Sequence, residues 1–324
     1  MRVRNAVVVI TGASSGIGRA AALRFAGKGA RLVLAARGAE ALQAVAAQCR
    51  KRGAQAIAVP TDVTDVAAME ELAARAVKEF GRLDVWVNNA AIGAFGLLTD
   101  IPPKDFQRVL DVNISGYVNG ARAALPRLRA QGSGTLINVA SIVAEVPLPY
   151  SASYSISKAA VRALSVSLRS ELAREGGGVD VCTVLPATID TPFYQNAANY
   201  TGRRPMALPP VYTPDRVAKA VVGLVRHPRR ETVAGGLAGR LLVLQHTLAP
   251  GVVEAATARQ VDRRQLSRRQ SAPVTTGNLH QASQAVRKPS TGGGWHGRRR
   301  TAQRRIGTAA VLAAAVVAVR RRLR

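Results

Sequence analysis

Six short runs in this chain are apolar at nearly every position instead of alternating: residues 6–11, 31–36, 55–60, 83–88, 134–140 and 179–185. A strand with apolar side chains at both phases of its two-residue period has to be covered on both faces. Between the runs lie longer stretches, 39–51, 66–80, 103–128 and 153–174, whose apolar residues recur at helical spacing. Strands alternating with helices, joined by right-handed crossovers, give an α/β fold: a doubly wound parallel sheet with helices on both faces. At 324 residues the chain is long enough for one large core with an appendage.

The first run leads into Thr11, Gly12, Ala13, Ser14, Ser15, Gly16, Ile17 and Gly18, and a helical stretch starts at once. A glycine-rich turn between strand and helix lets backbone N–H groups approach a pyrophosphate at the positive end of the helix. The flanking strand and helix distinguish this turn from a chance glycine triplet. The second run ends at Arg37, with no acidic residue until Glu40. An acid at that place bonds a ribose 2′-hydroxyl, whereas an Arg suits a 2′-phosphate. Arg37, with Arg19 just past the glycines, therefore favours NADP(H), and NAD(H) stays open. The competing reading of Arg37 is a solvated surface charge.

Tyr154 and Lys158 stand four residues apart in a helical stretch, hence on one face. An ammonium beside a phenol favours the phenolate and draws the phenol pKa down from about 10, which makes Tyr154 usable as a general acid or base. Ser141 directly follows the fifth run, at the sheet edge where open α/β sheets bind ligands. A Tyr–Lys pair alone is as readily an exposed helix face, and it is the company of Ser141 and the glycine turn that argues for chemistry.

With these residues in view, the chain resembles the short-chain dehydrogenase/reductase family over about residues 5–250. The family's TGxxxGxG turn is matched by Thr11, Gly12, Gly16 and Gly18, and its Asp after the third strand by Asp62, with Val63 beside it. Its NNAG segment is matched by Asn88, Asn89, Ala90 and Ala91, and the Asn of its proton relay by Asn113. Its PG motif and following Thr are matched by Pro186, Ala187 and Thr191, with Ile189 placed near the nicotinamide ring. The resemblance implies a Rossmann-type domain and a catalytic tetrad of Asn113, Ser141, Tyr154 and Lys158. It implies cofactor contacts from Gly12, Ser14, Ser15, Gly16, Ile17, Gly18, Arg37, Asp62, Val63, Asn89, Ala90, Ala91, Pro186, Ile189 and Thr191, with Tyr154 and Lys158. Ala91 and Ala187 depart from the pattern by replacing glycines, at a cost of about 1 kcal/mol if either position needs a positive φ.

The implied activity is hydride transfer between a nicotinamide and a carbonyl or secondary alcohol, with no metal assigned. Ser141, Val143, Tyr154 and Phe193 are the expected substrate contacts, joined by Phe95, Ala144 and Tyr194. These are mostly apolar, which points to a small apolar carbonyl or alcohol. Two alternatives stand: a non-catalytic NADP(H)-binding or redox-sensing module localised by its tail, and a dehydratase or epimerase on the same fold. The family implies a homodimer or homotetramer built through 103–128 and 153–174. The irregular segment 186–210, carrying Phe193, Tyr194, Tyr200, Met206 and Leu208, is either a mobile substrate lid or a surface excursion.

The net charge of +27 is concentrated late in the chain, where 16 of the 46 basic residues follow Ala255 against one acid, Asp262. The expected division is an oxidoreductase domain over 1–262, a basic low-complexity linker over 263–305 and a short apolar segment with Arg flanks over 306–324. Ser, Gln, Thr, Gly and Arg dominate the linker, which is expected to be disordered. The apolar run 306–319 reaches about 21 Å as a helix, short of the roughly 30 Å hydrocarbon core. It reads as a membrane anchor, spanning or lying on acidic lipid, or as part of a solvated extension. Trp295 is the one aromatic in the tail, which argues against nucleic acid. Cys49 and Cys182 form no CxxC pair, and residues 6–10 are too short for a signal segment. A cytoplasmic protein is expected, with attachment to the inner face of a membrane as the option the tail leaves open.

Overall fold

Alternate residues of the first strand enter opposite sides of the sheet, and both sides are dry. In the computed structural model, which describes residues 1–282 and 290–295, β1 (Val7–Thr11) sends Val8 and Ile10 into one apolar cluster and Val7 and Val9 into another. β2 (Arg31–Ala36) divides likewise, with Leu32 and Leu34 on one side and Val33 and Ala35 on the other. β3 (Ala56–Pro60), β4 (Val85–Asn88), β5 (Gly134–Val139), β6 (Val179–Pro186) and β7 (Glu231–Ala234) complete a seven-stranded sheet. Its order is β7-β6-β5-β4-β1-β2-β3, and every pairing is parallel. The order reverses between β1 and β4, and a crevice opens beyond the carboxyl ends at such a switch. This is the doubly wound Rossmann-type architecture expected.

α1 (Gly16–Ala26), α2 (Ala39–Arg50) and α7 (Pro214–Arg226) cover one face. α3 (Val66–Phe80), α5 (Gly116–Ala130) and α6 (Ala152–Arg174) cover the other. Local chemistry sets the ends of α3: the Asp65 side chain accepts from the Ala68 N–H, and Gly81 closes the helix at φ 78°. The stretch 103–128 is not one helix. α4 (Pro103–Leu110) passes through a π-turn, Asp111–Ser115, before α5 begins. Such a turn widens the backbone spiral and is common at functional sites; this one carries Asn113.

Two C-terminal elements extend this core. α8 (Gly236–Leu248) and α9 (Pro250–Gln260) form a hairpin after β7. The chain then continues as an ordered strand, Leu266–Ser271, antiparallel to Arg203–Pro205. The boundary at 262 thus falls inside a packed turn, and the part of 263–305 that is described is folded, not disordered. Asp262 pairs with Arg203 and Arg268 across that turn. Leu266 and Leu279 are fully buried and Trp295 nearly so. Three widely spaced apolar anchors, with backbone groups bonded between them, hold a segment whose average composition is polar. The run 306–319 lies outside the described residues. Among the described residues no helix is long and apolar enough to cross a membrane.

Candidate active site

The glycine turn is built by close backbone approach. Gly12 and Gly16 sit at φ +66° and +53°, where a side chain is strained. A Cβ on Gly12 would lie 2.8 Å from the Ala90 Cα, and one on Gly18 only 2.3 Å from the Gly12 carbonyl oxygen. Thr11 ties this turn to the end of β4. Its hydroxyl oxygen accepts from the Asn89 and Ala90 N–H groups at 3.0 and 3.1 Å, while the Asn89 amide donates to the Thr11 carbonyl at 2.9 Å. The first turn of α1 carries no acidic residue, so the positive end of the helix stays favourable to an anion.

One rim of the crevice is guanidinium-rich. Asp62 accepts from the Thr64 N–H and hydroxyl and pairs with Arg108 at 2.7 Å. Burial pushes its pKa up, but these donors outweigh burial and hold it below the usual carboxylate value. Burial lowers the Arg37 pKa, and the nearby Asp62 charge opposes that.

The described portions of the C-terminal segment fasten to both rims, a feature sequence reasoning missed. Arg37 donates to the Asn278 and Leu279 carbonyls at 2.6 and 3.1 Å, and Arg108 to Leu279 at 3.1 Å. His280 and Tyr200 share the buried Asp105 carboxylate at 2.6 and 2.5 Å. Across the crevice the Gly16 N–H donates to the Ser290 carbonyl at 3.1 Å, and Asp190 accepts from the Gly293 and Trp295 N–H groups. Trp295 packs edge-on to Tyr194, with centroids 5.6 Å apart. The signal was present as isolated large apolar residues, Leu279 and Trp295, in a polar stretch.

The catalytic candidates converge beyond β5. The buried face of α6 carries Ser153, Ser155, Ser157 and Ser165, small residues that let the helix lie close to the sheet. Asn138 donates to the Ser165 hydroxyl at 2.9 Å. The Ser141 hydroxyl donates to the Pro186 carbonyl at 3.4 Å and accepts from the Val143 N–H at 3.3 Å, and it lies close enough to Tyr154 to draw the phenol pKa down. The Lys158 ammonium nitrogen donates to the Val139 carbonyl at 3.0 Å and to the Tyr117 hydroxyl at 3.2 Å, and lies 5.6 Å from the Tyr154 ring centroid. Asn113 is fully buried; its amide bonds both backbone groups of Ile92 at 2.9 Å and the Ser157 hydroxyl at 3.0 Å. Tyr117, one helical turn past Asn113, is a member of this cluster that sequence reasoning did not single out.

The electrostatics correct one expectation. Burial pushes the Tyr154 phenol up to about 12, and the nearby Ser141 hydroxyl only partly opposes it. Burial takes Lys158 down to about 7. Desolvation therefore outweighs the attraction between ammonium and phenolate in this structure. The unfolded chain holds a proton on this lysine that the folded chain releases between about pH 7 and its ordinary value near 10.5. Stability contributed by this group is thus lowest below about pH 7 and rises with pH above it. Between pH 7 and 8.5 the unfolding free energy is expected to climb by up to about 1.4 kcal/mol per pH unit. Lys158→Met should flatten that slope in chemical denaturation, and an equal slope in both proteins would contradict the assignment.

A single cavity of about 750 Å³ runs along the crevice. Of the residues expected to touch cofactor or substrate, all but Gly18 and Ala144 line it, including Val63, Ala91, Pro186, Ile189, Thr191, Val143 and Phe193. Gly18 acts from beneath, against Gly12, and Asn113 lies behind the wall. Phe193, in the single helical turn Phe193–Asn196, has its ring 5.1 Å from that of Tyr154. Tyr194 stacks on Phe95 with centroids 6.2 Å apart. The irregular segment thus packs over the site as an aromatic cluster. Neither Ala91 nor Ala187 adopts a positive φ, so neither replacement carries the backbone penalty considered above. The Ala187 methyl fills space left by Gly235, where a Cβ would come within 2.6 Å.

The comparisons agree with this geometry. The family model described as short chain dehydrogenase matches residues 6–201. An uncharacterized oxidoreductase, YxnA, of Bacillus subtilis is 34% identical over 98% of this chain and 89% of its own length. An uncharacterized oxidoreductase of Listeria monocytogenes, Lmo0432, is 37% identical over 70% of this chain and 93% of its own. Among solved structures, a short chain dehydrogenase/reductase from Burkholderia phymatum in complex with NAD superposes with a TM-score of 0.70 at 26% identity, covering 85% of this chain and 99% of that one. An alcohol dehydrogenase from Thermococcus sibiricus complexed with 5-hydroxy-NADP gives 0.62 at 29% identity, covering 70% and 95%. With a parallel sheet in the required order and that match over most of its length, the chain belongs to the short-chain dehydrogenase family and is an oxidoreductase.

Proposed function

We propose that the chain is an NADP(H)-dependent oxidoreductase that moves a hydride between a nicotinamide and a carbonyl or secondary alcohol, with Tyr154 as general acid and base. One observation carries this reading: Ser141, Tyr154 and Lys158 line the same cavity as Gly12, Ser14, Ser15, Gly16 and Ile17. A dinucleotide fits the residues present. Gly12 and Gly16 bring the backbone of the turn to the cavity without side chains, the helix end above it carries no acid, and Arg37 stands at the neighbouring rim. Asp62, Val63, Asn89, Ala90 and Ala91 would hold its adenosine half, and Pro186, Ile189 and Thr191 the nicotinamide. When bound, the nicotinamide supplies or accepts the hydride.

The chain's own residues do the rest. The Ser141 hydroxyl, beside Tyr154 on the cavity wall, orients the substrate oxygen. The Tyr154 hydroxyl gives that oxygen a proton in reduction and takes it back in oxidation. Lys158 steadies the phenolate this leaves and is held at its post by Val139 and Tyr117. Asn113 fixes the π-turn behind Ser157, on the route by which the proton is replenished. Exposed Ile156 and Val166 on α6 support assembly as a homodimer or homotetramer through that helix.

Following absorbance at 340 nm with a carbonyl panel tests the reading directly, because a dehydratase, an epimerase or a pure binder gives no net change. NADPH is expected to exceed NADH in kcat/KM by at least about tenfold, since a guanidinium–phosphate bond contributes about 1.5–3 kcal/mol. Arg37→Ala should bring the two cofactors close together. A preference for NADH in the unaltered chain would refute the NADP(H) assignment.

A further inference from the structure

We infer that the substrate carries an extended, uncharged apolar chain, which the α8–α9 hairpin receives and measures; this rests on the hydride-transfer reading above. The cavity that holds Tyr154 does not end beside it. It continues between the aromatic cluster and the hairpin, where Leu208, Leu242, Leu248, Val252, Val253 and Ala256 line it. The hairpin is anchored at the right place for this. Gly235 and Gly239 let it approach Ala187, where Cβ atoms built on them would come within 2.6 and 3.7 Å of the Ala187 methyl. Ala187 directly follows β6, at the nicotinamide end of the crevice. The hairpin lies beyond residues 6–201 of the family match, so this wall belongs to the chain's own C-terminal part.

Charge narrows the chemistry. Among the described residues lining the whole cavity, the charged side chains are Arg37, Asp62 and Lys158. The first two stand at the rim bonded to Asn278 and Leu279 or to Arg108, and the third is engaged by Val139 and Tyr117. Among the described residues the corridor wall offers a carboxylate, phosphate or ammonium no counter-ion, and burying such a group unpaired is strongly unfavourable. The polar residues there, Gln245, Thr257, Gln260 and Gln265, are neutral. Its mouth is apolar as well: Leu248 is 75% exposed and Val252 42% exposed, yet both line the cavity. Leucine and valine at an opening suit a chain whose apolar end lies against them, because its methylenes cover side chains otherwise left in water and a charged end there would lose water without gaining a partner.

The test is a chain-length series on the full-length protein: straight-chain aldehydes and 2-ketones of four, six, eight and ten carbons with NADPH, beside ten-carbon analogues ending in a carboxylate. Turnover is read at 340 nm, and affinity in the presence of NADP⁺ by calorimetry. Each added methylene is expected to raise kcat/KM and affinity roughly two- to fourfold. The carboxylate-ended analogues should fall at least about tenfold below their neutral counterparts. Leu248→Asp, an exposed position where folding is not at stake, should weaken the ten-carbon compounds at least about tenfold and leave the four-carbon ones unchanged. Ala256→Trp should do the same by filling the corridor. A flat series with NADPH oxidation intact would overturn the corridor and leave the hydride-transfer reading standing. Chain-length-dependent binding with no NADPH oxidation would support the corridor and overturn the reading. If no compound binds or turns over, both are overturned.

Discussion

Tyr154→Phe is expected to lower kcat by about 10²–10⁴-fold while leaving the KM for the dinucleotide nearly unchanged. The change removes one oxygen and little else. The ring keeps its contact with Phe193, 5.1 Å away, and α6 keeps its serine-lined face against the sheet. What is lost is the group proposed to exchange a proton with the substrate oxygen. Ser141 cannot replace it, because a serine hydroxyl gives up its proton far less readily than a phenol. Lys158 is tied to Val139 and Tyr117, with its nitrogen 5.6 Å from the centre of the Tyr154 ring. Steady-state rates at saturating cofactor decide the matter. Retention of near-normal turnover would place the acid elsewhere, and a large rise in dinucleotide KM would mean that the phenol binds more than it reacts.

Gly18→Ala is the second large effect, and it should act on binding and folding together. The added Cβ would stand 2.3 Å from the Gly12 carbonyl oxygen, 2.8 Å from the Gly12 carbonyl carbon and 2.6 Å from the Asn89 amide nitrogen. Two of the three are backbone, so α1 has to move away from the turn. Overpacking of this kind costs about 1–3 kcal/mol in stability. Moving the helix end off the phosphate path should weaken dinucleotide binding by at least about 10²-fold, on the scale of one or two lost charge-assisted hydrogen bonds. Gly53→Ala is the control. Gly53 has φ +83° and nothing within 4 Å of a built Cβ, so it should lose only about 1 kcal/mol, with cofactor affinity intact. Thermal melts with and without dinucleotide separate the two, and equal loss of affinity in both variants would contradict the steric argument.

Much of the fold was legible because burial on both faces leaves a dense apolar signature. All six runs became strands of the central sheet. β7 was missed for the converse reason. It is a four-residue edge strand, Glu-Thr-Val-Ala, only partly buried, and nothing in so short a mixed run separates it from a loop. The π-turn at Asp111–Ser115 was equally hidden, since one extra residue per turn leaves the apolar spacing of 103–128 almost intact. At the site, residue identities were readable and energies were not. The spacing of Tyr154 and Lys158 placed them together, but which of desolvation and attraction prevails depends on how much of the chain surrounds them. The described part of 263–295 was misread because average composition hides anchors. Leu266, Leu279 and Trp295 are few, yet each is buried, and the Asp190 carboxylate and Arg37 guanidinium that bond this segment lie far away in sequence.

The fastening of the C-terminal segment also fixes when the crevice is finished during synthesis. The glycine turn leaves the ribosome long before the carbonyls of Asn278, Leu279 and Ser290 that bond Arg37 and Gly16. At about 5–20 residues per second, a nascent chain spends roughly a quarter-minute to a minute with its nucleotide groove uncovered. A dinucleotide present during that interval can settle before the flaps are laid down, so newly translated molecules and ones refolded without it need not load by the same route.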